Sequence, residues 1–95
     1  MHFGQKIKEL RETEGLLQRQ LAASLEIDTP MYSKIERGER KAKRRQVVLL
    51  SKLLNFKEDE LLTIWLADQV YDLVANDNNA HKALKLVENQ LKHKR

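Results

Sequence analysis

Thr29, Pro30, Ser33, Lys34 and Arg37 recur at a spacing that places them on one side of a single short helix. Hydroxyl and ammonium groups in such a row can donate hydrogen bonds, and an ammonium group can donate to O6 and N7 of guanine. The major groove of DNA presents acceptors of this kind between two lines of phosphates. The row therefore indicates a surface that contacts base edges.

Positive charge is concentrated beside this row. The chain has a formal net charge of +4, and the segment from Lys34 to Arg45 contains seven Lys or Arg residues and two acidic residues. From Glu58 to Asp77 there are six acidic residues and no Lys or Arg. We expect the first segment to face phosphate and the second to avoid it. A basic run alone is equally well explained as solvated surface, so it is informative only together with the row.

The sequence does not indicate catalysis. Its 95 residues suffice for one small core but not for a deep cleft. There is no cysteine, and none of the three histidines has a metal-binding or nucleophile-activating partner at a recognisable spacing. We expect a protein that is not an enzyme and that needs no cofactor or metal. No signal peptide or membrane span is recognisable, so we expect a cytoplasmic protein without a membrane partner.

Two short helices that cross at a tight turn must position the polar row. The segment from Leu21 to Gly38 places small residues, Ala22 and Ala23, where a second helix approaches closely. Tyr32 and Ile35 lie three residues apart and would seat that second helix. The same spacing also suits an ordinary helical hairpin in a bundle, but the neighbouring cations favour DNA binding.

The rest of the chain is predicted to be helical, which makes the fold class all-α. Asp28 is expected to cap the third helix through the Met31 amide, and Gly38 is expected to end it. A sixth helix carries an apolar stripe that includes Ala80, Leu84 and Leu91. The other predicted helices span Phe3 to Glu14, Gln18 to Leu25, Arg44 to Leu54, and Glu58 to Val74 or Ala75. We expect residues 1–66 to form a five-helix DNA-binding domain and residues 67–95 to form a helical extension used for dimerisation.

Four segments carry a family resemblance: FGQKIKELRETEG, LQRQLAASLEI, MYSKIERGER and LSKLLNF followed by EDELL. From Phe3 to about Leu62 the chain resembles the phage Cro/repressor-like (Xre-like) helix-turn-helix family. The resemblance implies a repressor-like fold whose third helix reads double-stranded DNA. It implies a structural ion pair between Arg11 and Glu36. The implied base contacts are Thr29, Pro30, Ser33 and Lys34, and the implied phosphate contacts are Gln18, Arg19, Arg37, Lys41, Lys43 and Arg44.

Three positions depart from the family pattern. Glu26 stands where the turn usually has glycine, so a non-glycine residue is expected to adopt a left-handed conformation. Leu17 stands where a capping side chain is common, and Pro30 stands where a bidentate donor such as Gln is common. A contact with a thymine methyl group could replace adenine recognition at Pro30.

The fifth helix has more apolar residues than one core-facing stripe requires. An uncovered apolar surface with an aromatic anchor is typical of an interface, and we expect a symmetric homodimer. The predicted interface residues are Trp65, Leu66, Val70, Leu73 and Val74. The sixth helix could instead fold back and cover this surface within one chain.

Together these patterns predict a sequence-specific, dimeric DNA-binding transcriptional regulator, most simply a repressor at an inverted-repeat operator. Two reading helices would lie about 34 Å apart, one turn of DNA. The alternative is an antitoxin-like interaction module whose C-terminal helices bind a protein partner while its helix-turn-helix regulates its own expression.

Overall fold

The computed structural model describes residues 2–94, and these form six helices with no strand. The all-α prediction is confirmed. The predicted bounds of the first, second, fourth and fifth helices agree with the observed ones to within one residue. The helices are α1 (His2–Thr13), α2 (Gln18–Ser24), α3 (Thr29–Glu36), α4 (Arg44–Leu53), α5 (Glu58–Val74) and α6 (Ala80–Lys92). None of them is long and apolar enough to cross a membrane.

Helices α1, α2, α3 and α4 and the first part of α5 share a single hydrophobic core. Burial of apolar side chains is the main favourable term in folding, and these side chains come from every one of the five helices. The largest fully buried ones are Tyr32, Ile7, Leu21, Ile35, Leu50, Leu54, Leu61 and Val47. The core thus fixes the positions of α2 and α3 relative to three other helices.

A buried alanine on α2, a glycine on α1 and a capping residue before α3 fix the position of the helix-turn-helix. Ala22 is buried as predicted, whereas Ala23 is exposed, so only one of the two alanines faces the neighbouring helix. A Cβ atom on Gly4 would lie 2.8 Å from the Ile35 carbonyl oxygen, so α1 can approach the end of α3 only with glycine there. Asp28 accepts a hydrogen bond from the Met31 amide at 2.8 Å, which confirms the predicted cap.

Two non-glycine residues adopt a left-handed conformation, which the sequence predicted for Glu26. Glu26 has φ of 59° in the turn between α2 and α3, and Asn55 has φ of 55° after α4. Such a backbone costs free energy in a residue with a side chain and persists where its surroundings fix it. The start of α2 has no side-chain cap on Leu17; instead the Gln20 side chain accepts from the Leu17 amide at 2.7 Å.

A buried carboxylate on α5 caps α1. Asp68 accepts from the Phe3 amide at 2.7 Å and from the His2 amide at 3.1 Å. The first amides of a helix have no acceptor within the helix, and a carboxylate there also interacts favourably with the helix dipole. The predicted domain boundary between residues 66 and 67 falls inside this helix, and Asp68 ties the region beyond it to α1.

The sixth helix leaves its side chains exposed. Its residues are all exposed except the half-buried Ala80. On α5, Leu66 is 49% exposed and Leu73 is 83% exposed. Within a single chain, α6 therefore does not cover the surplus apolar surface of α5.

Replacing the capping carboxylate should destabilise the fold. In Asp68→Asn one acceptor oxygen becomes a donor that faces the amides of α1, and we expect a loss of about 1–2 kcal/mol in the free energy of unfolding. Urea denaturation followed by circular dichroism measures it. The matched control is Asp72→Asn, an exposed position one turn later on the same helix. Equal stabilities of the two variants would contradict the capping role.

Candidate nucleic-acid interface

The outer side of α3 presents the polar row that the sequence singled out. Thr29, Pro30 and Lys34 are exposed, and Ser33 is half-buried, whereas Tyr32 and Ile35 on the other side are buried in the core. Because α3 is anchored by that buried side, its outer side is held at a fixed orientation. We call Thr29, Pro30, Ser33 and Lys34 the reading face.

Arg37 at the end of α3 is already paired within the chain. Its Nε donates to Glu39 Oε2 at 2.8 Å and its Nη2 donates to Glu39 Oε1 at 3.3 Å, while its Nη1 donates to Ser33 Oγ at 2.6 Å. The hydrogen bond from Arg37 lowers the pKa of the Glu39 carboxyl below its usual range. About half of each side chain in the ion pair is exposed, and ion pairs in water contribute little to stability. A phosphate oxygen can therefore replace Glu39.

A basic cleft lies beside the turn between α2 and α3. Its volume is about 540 Å³, and four cationic side chains line it, Arg40, Lys41, Lys43 and Arg45. Glu26 is the acidic residue in the lining. The resemblance assigned Lys41 and Lys43 to phosphate, but Arg40 and Arg45 enter the site only through the structure. The signal in the sequence was their membership of the basic run.

Trp65 on α5 supports the segment that carries these cations. Its Nε1 donates to the Ala42 carbonyl oxygen at 2.8 Å, and the Arg44 guanidinium lies 5.4 Å from the centre of its ring. One turn later, Gln69 accepts from Lys41 Nζ at 3.2 Å. The sequence predicted Trp65 as a dimer contact, and the structure places its indole within the chain, half-buried against the core. Leu66, Val70 and Leu73 are exposed.

A buried ion pair fixes the angle of α3, the helix that carries the reading face. Arg11 on α1 donates to both oxygens of Glu36 at the end of α3, from Nε at 2.7 Å and from Nη2 at 3.2 Å. The same guanidinium donates to the Leu16 carbonyl oxygen at 3.0 Å. The structure thus brings together the two residues that the resemblance paired.

Gln18 joins this ion pair. Its Nε2 donates to Glu36 Oε1 at 2.9 Å, which adds α2 to the link between α1 and α3. The resemblance implies that Gln18 also donates to a phosphate. In the structure its side-chain amide points to Glu36, so a phosphate would share that amide group with the carboxylate.

The surroundings of Glu36 favour its charged form. Burial raises the pKa of this carboxyl, but hydrogen bonds from Arg11 and Gln18 and the positive charge of Arg11 outweigh burial and lower the pKa below its ordinary value. The Tyr32 hydroxyl is buried beside the carboxylate and has no hydrogen-bond partner among the described residues. Glu36 is therefore a charged structural group and not a proton donor at neutral pH.

The sequence profile of a protein family described as helix-turn-helix matches residues 7–61 of the chain. The matched segment begins inside α1 and ends in α5, and it includes the reading face, the basic cleft and Glu36. No curated protein and no solved structure matches the chain.

Removing the charge of Glu36 should destabilise the chain in a pH-dependent manner. Glu36→Gln leaves Arg11 buried without its partner, and we expect a loss of about 3 kcal/mol near neutral pH. Because the folded-state pKa of Glu36 is lowered, its contribution is complete above the ordinary pKa of 4.5 and is lost as the pH falls below it. The difference in the free energy of unfolding between the wild-type chain and Glu36→Gln should therefore become smaller in acid.

Urea titrations at a series of pH values from neutral to acid measure this gap. The control is Glu9→Gln, an exposed glutamate on α1 that should change stability little. A gap that stays constant over the whole series would show that the ion pair is not what links stability to pH.

Proposed function

Because the chain belongs to the Cro/repressor-like (Xre-like) helix-turn-helix family of DNA-binding transcription regulators, we propose that it is a repressor that binds an inverted-repeat operator as a homodimer. The observation that carries the proposal is the exposed reading face of α3, which is flanked by cations and fixed from behind by the core. A rigid, exposed helix of this kind fits a DNA major groove.

The reading face offers a distinct chemistry at each position. The Lys34 ammonium can donate to O6 and N7 of guanine. Thr29 offers a hydroxyl and a methyl group, and Pro30 offers an apolar surface for a thymine methyl group. The Ser33 hydroxyl oxygen already accepts a hydrogen bond from Arg37. It can therefore contact a base only in addition to this hydrogen bond, or after the hydrogen bond has broken.

Phosphate contacts would flank the reading face on two sides. On one side are Lys41, Lys43 and Arg44, whose segment is held by Trp65. On the other side are Gln18 and Arg19 in the first turn of α2, with Arg37 at the end of α3. Contacts to phosphate fix the register of a protein on DNA, while contacts to bases decide the sequence it selects.

A homodimer would make the operator an inverted repeat. Two copies related by a two-fold axis present two α3 helices about 34 Å apart, so that each enters the major groove on the same side of the duplex. Each half-site is bound weakly and the pair tightly, and occupation of a promoter by such a dimer blocks transcription.

A second function is a protein-interaction module of the antitoxin type. It is supported by the exposed apolar side chains of the C-terminal helices, such as Leu73, Leu86 and Leu91. Such a module would leave this surface open in its homodimer, whereas a plain regulator would bury it between identical subunits.

Selection of bound duplexes from random DNA tests the main proposal. We expect the selected sequences to contain two inverted half-sites whose centres lie about one helical turn apart. A complex that depends on salt but selects no sequence would contradict operator recognition, and a single unpaired half-site would contradict the dimer.

Removing the ammonium of Lys34 should change sequence preference. Lys34→Ala should lose about 1–3 kcal/mol of discrimination at one base pair of each half-site. Binding to a set of single-base operator variants measures the loss. The control is Lys52→Ala, an exposed lysine in the last turn of α4, which should leave all preferences unchanged. If all base variants weaken equally, Lys34 contacts only phosphate.

Removing Arg44 should act on affinity without changing preference. Arg44→Ala should weaken binding to all duplexes alike and reduce the slope of log K against log salt by about one. Arg44→Lys keeps the charge and should keep most of the slope. Titrations at four or five salt concentrations measure it, and an unchanged slope in the alanine variant would remove Arg44 from the interface.

A further inference from the structure

The fifth helix has a second apolar stripe that faces away from the core. One side of α5 enters the core through Leu61, with Trp65 and Asp68 along the same side. Apolar residues three and four positions apart form a row on the other side. We call this row the outer α5 stripe. It begins at Leu62, which is half-buried against the core, and continues with Leu66, Val70, Leu73 and Val74.

The sixth helix carries a stripe of matching length. Its apolar residues also recur at spacings of three and four, and we call them the α6 stripe: Ala80, Ala83, Leu84, Val87 and Leu91. At a rise of about 1.5 Å per residue, each stripe is roughly 17 Å long. Leu84 is 37% exposed, Val87 is 47% exposed and Leu91 is 63% exposed.

Most of each stripe is exposed within one chain: Leu66, Val70 and Leu73 on α5, and every α6 stripe residue except the half-buried Ala80. Helix α6 therefore needs a cover. The helix has 13 residues, and an isolated helix of that length is only marginally stable in water. Most helices of this size are stabilised by packing an apolar face against another element. The α6 stripe of one copy and the outer α5 stripe of another can supply that packing to each other.

Charge decides which stripes meet when two copies associate. Apart from Asp68, which is buried against α1, helix α5 carries four carboxylates and no Lys or Arg, whereas α6 carries three lysines and one glutamate. Pairing α5 with α5, or α6 with α6, therefore brings like charges together. Pairing α6 with α5 of another copy brings opposite charges together, and it covers both stripes in the same contact.

We propose that α6 of each copy lies along the outer α5 stripe of a second copy, so that the homodimer is closed by reciprocal exchange of α6. This rests on the proposed homodimer and names the element that covers its interface. The same α5 holds the basic cleft through Trp65 and Gln69. The exchanged helix would thus bind on the back of the element that supports the phosphate contacts.

Disulfide trapping tests which stripes meet. The chain has no cysteine, so two introduced cysteines report one contact. Val70→Cys lies near the middle of the outer α5 stripe, and Val87→Cys lies near the middle of the α6 stripe. The two variants, one of them with a size tag, are mixed, allowed to exchange subunits and oxidised. We expect a disulfide between the two variants, visible as a mixed species on a non-reducing gel.

Two results of this experiment would overturn the proposal. One is the absence of the mixed disulfide while Val70→Cys alone cross-links, which indicates a dimer made by α5 only. The other is a wild-type mass of 11.2 kDa by sedimentation at micromolar concentration, which indicates a monomer with open stripes.

A charge placed in the α6 stripe tests the energetics. Leu84→Glu should raise the dissociation constant of the dimer at least ~10-fold, because a carboxylate would be buried in the apolar contact. Asn89→Glu adds the same charge on the opposite side of α6 and should leave the dimer intact. Sedimentation equilibrium measures both, and equal effects of the two variants would overturn the proposal.

Operator binding by the same proteins separates this proposal from the proposed function. If the wild-type chain binds an inverted repeat as a dimer, and the Leu84→Glu variant forms that dimer equally well, the proposed function stands and the exchange of α6 is overturned. A mixed dimer of Val70→Cys and Val87→Cys that is joined by the expected disulfide but binds no DNA supports the exchange and overturns the proposed function.

Discussion

The position of the reading helix depends on one buried carboxylate. Glu36 accepts from Arg11 on α1 and from Gln18 on α2, so three helices meet at a single charge. Taking a carboxylate out of water is costly, and the cost is offset only where its oxygens are well hydrogen-bonded. This requirement fixes the angle of α3 more strictly than apolar packing would, because side chains in a core can repack whereas an unpaired charge cannot be accommodated.

The fifth helix extends that constraint to the other end of the molecule. Its Asp68 caps α1, and its Trp65 holds the carbonyl of Ala42 in the segment that leads from α3 to α4. A single helix thus connects the start of the chain, the basic cleft and the surface proposed for dimerisation. In the proposed homodimer, two reading faces keep a fixed separation only if the interface and α3 belong to one rigid unit, and α5 would provide that continuity.

Features governed by neighbours in sequence could be predicted from the residues themselves, whereas the distant Arg11–Glu36 pair was predicted only through the family resemblance. The Asp28 cap follows from local capping chemistry, and the left-handed conformation of Glu26 follows from the glycine that the family usually has in that turn. The contact between Asp68 and Phe3 spans 65 positions, and no periodicity reports it. The surplus of apolar residues on α5 indicated an interface, but the pattern could not show that the indole of Trp65 is engaged within the chain.

Two arginine–glutamate ion pairs with nearly equal nitrogen–oxygen distances differ in what they can do. Arg11 Nε and Glu36 Oε2 lie 2.7 Å apart, and only 11% and 3% of the two side chains are exposed. Separating them would therefore leave a buried charge without a partner. Arg37 and Glu39 meet at 2.8 Å with about half of each side chain in water, where separation costs little. The first pair is therefore suited to hold the helix in place. In the proposed DNA complex, the second pair is suited to exchange Glu39 for a phosphate. Burial, and not distance, is therefore what distinguishes the two pairs.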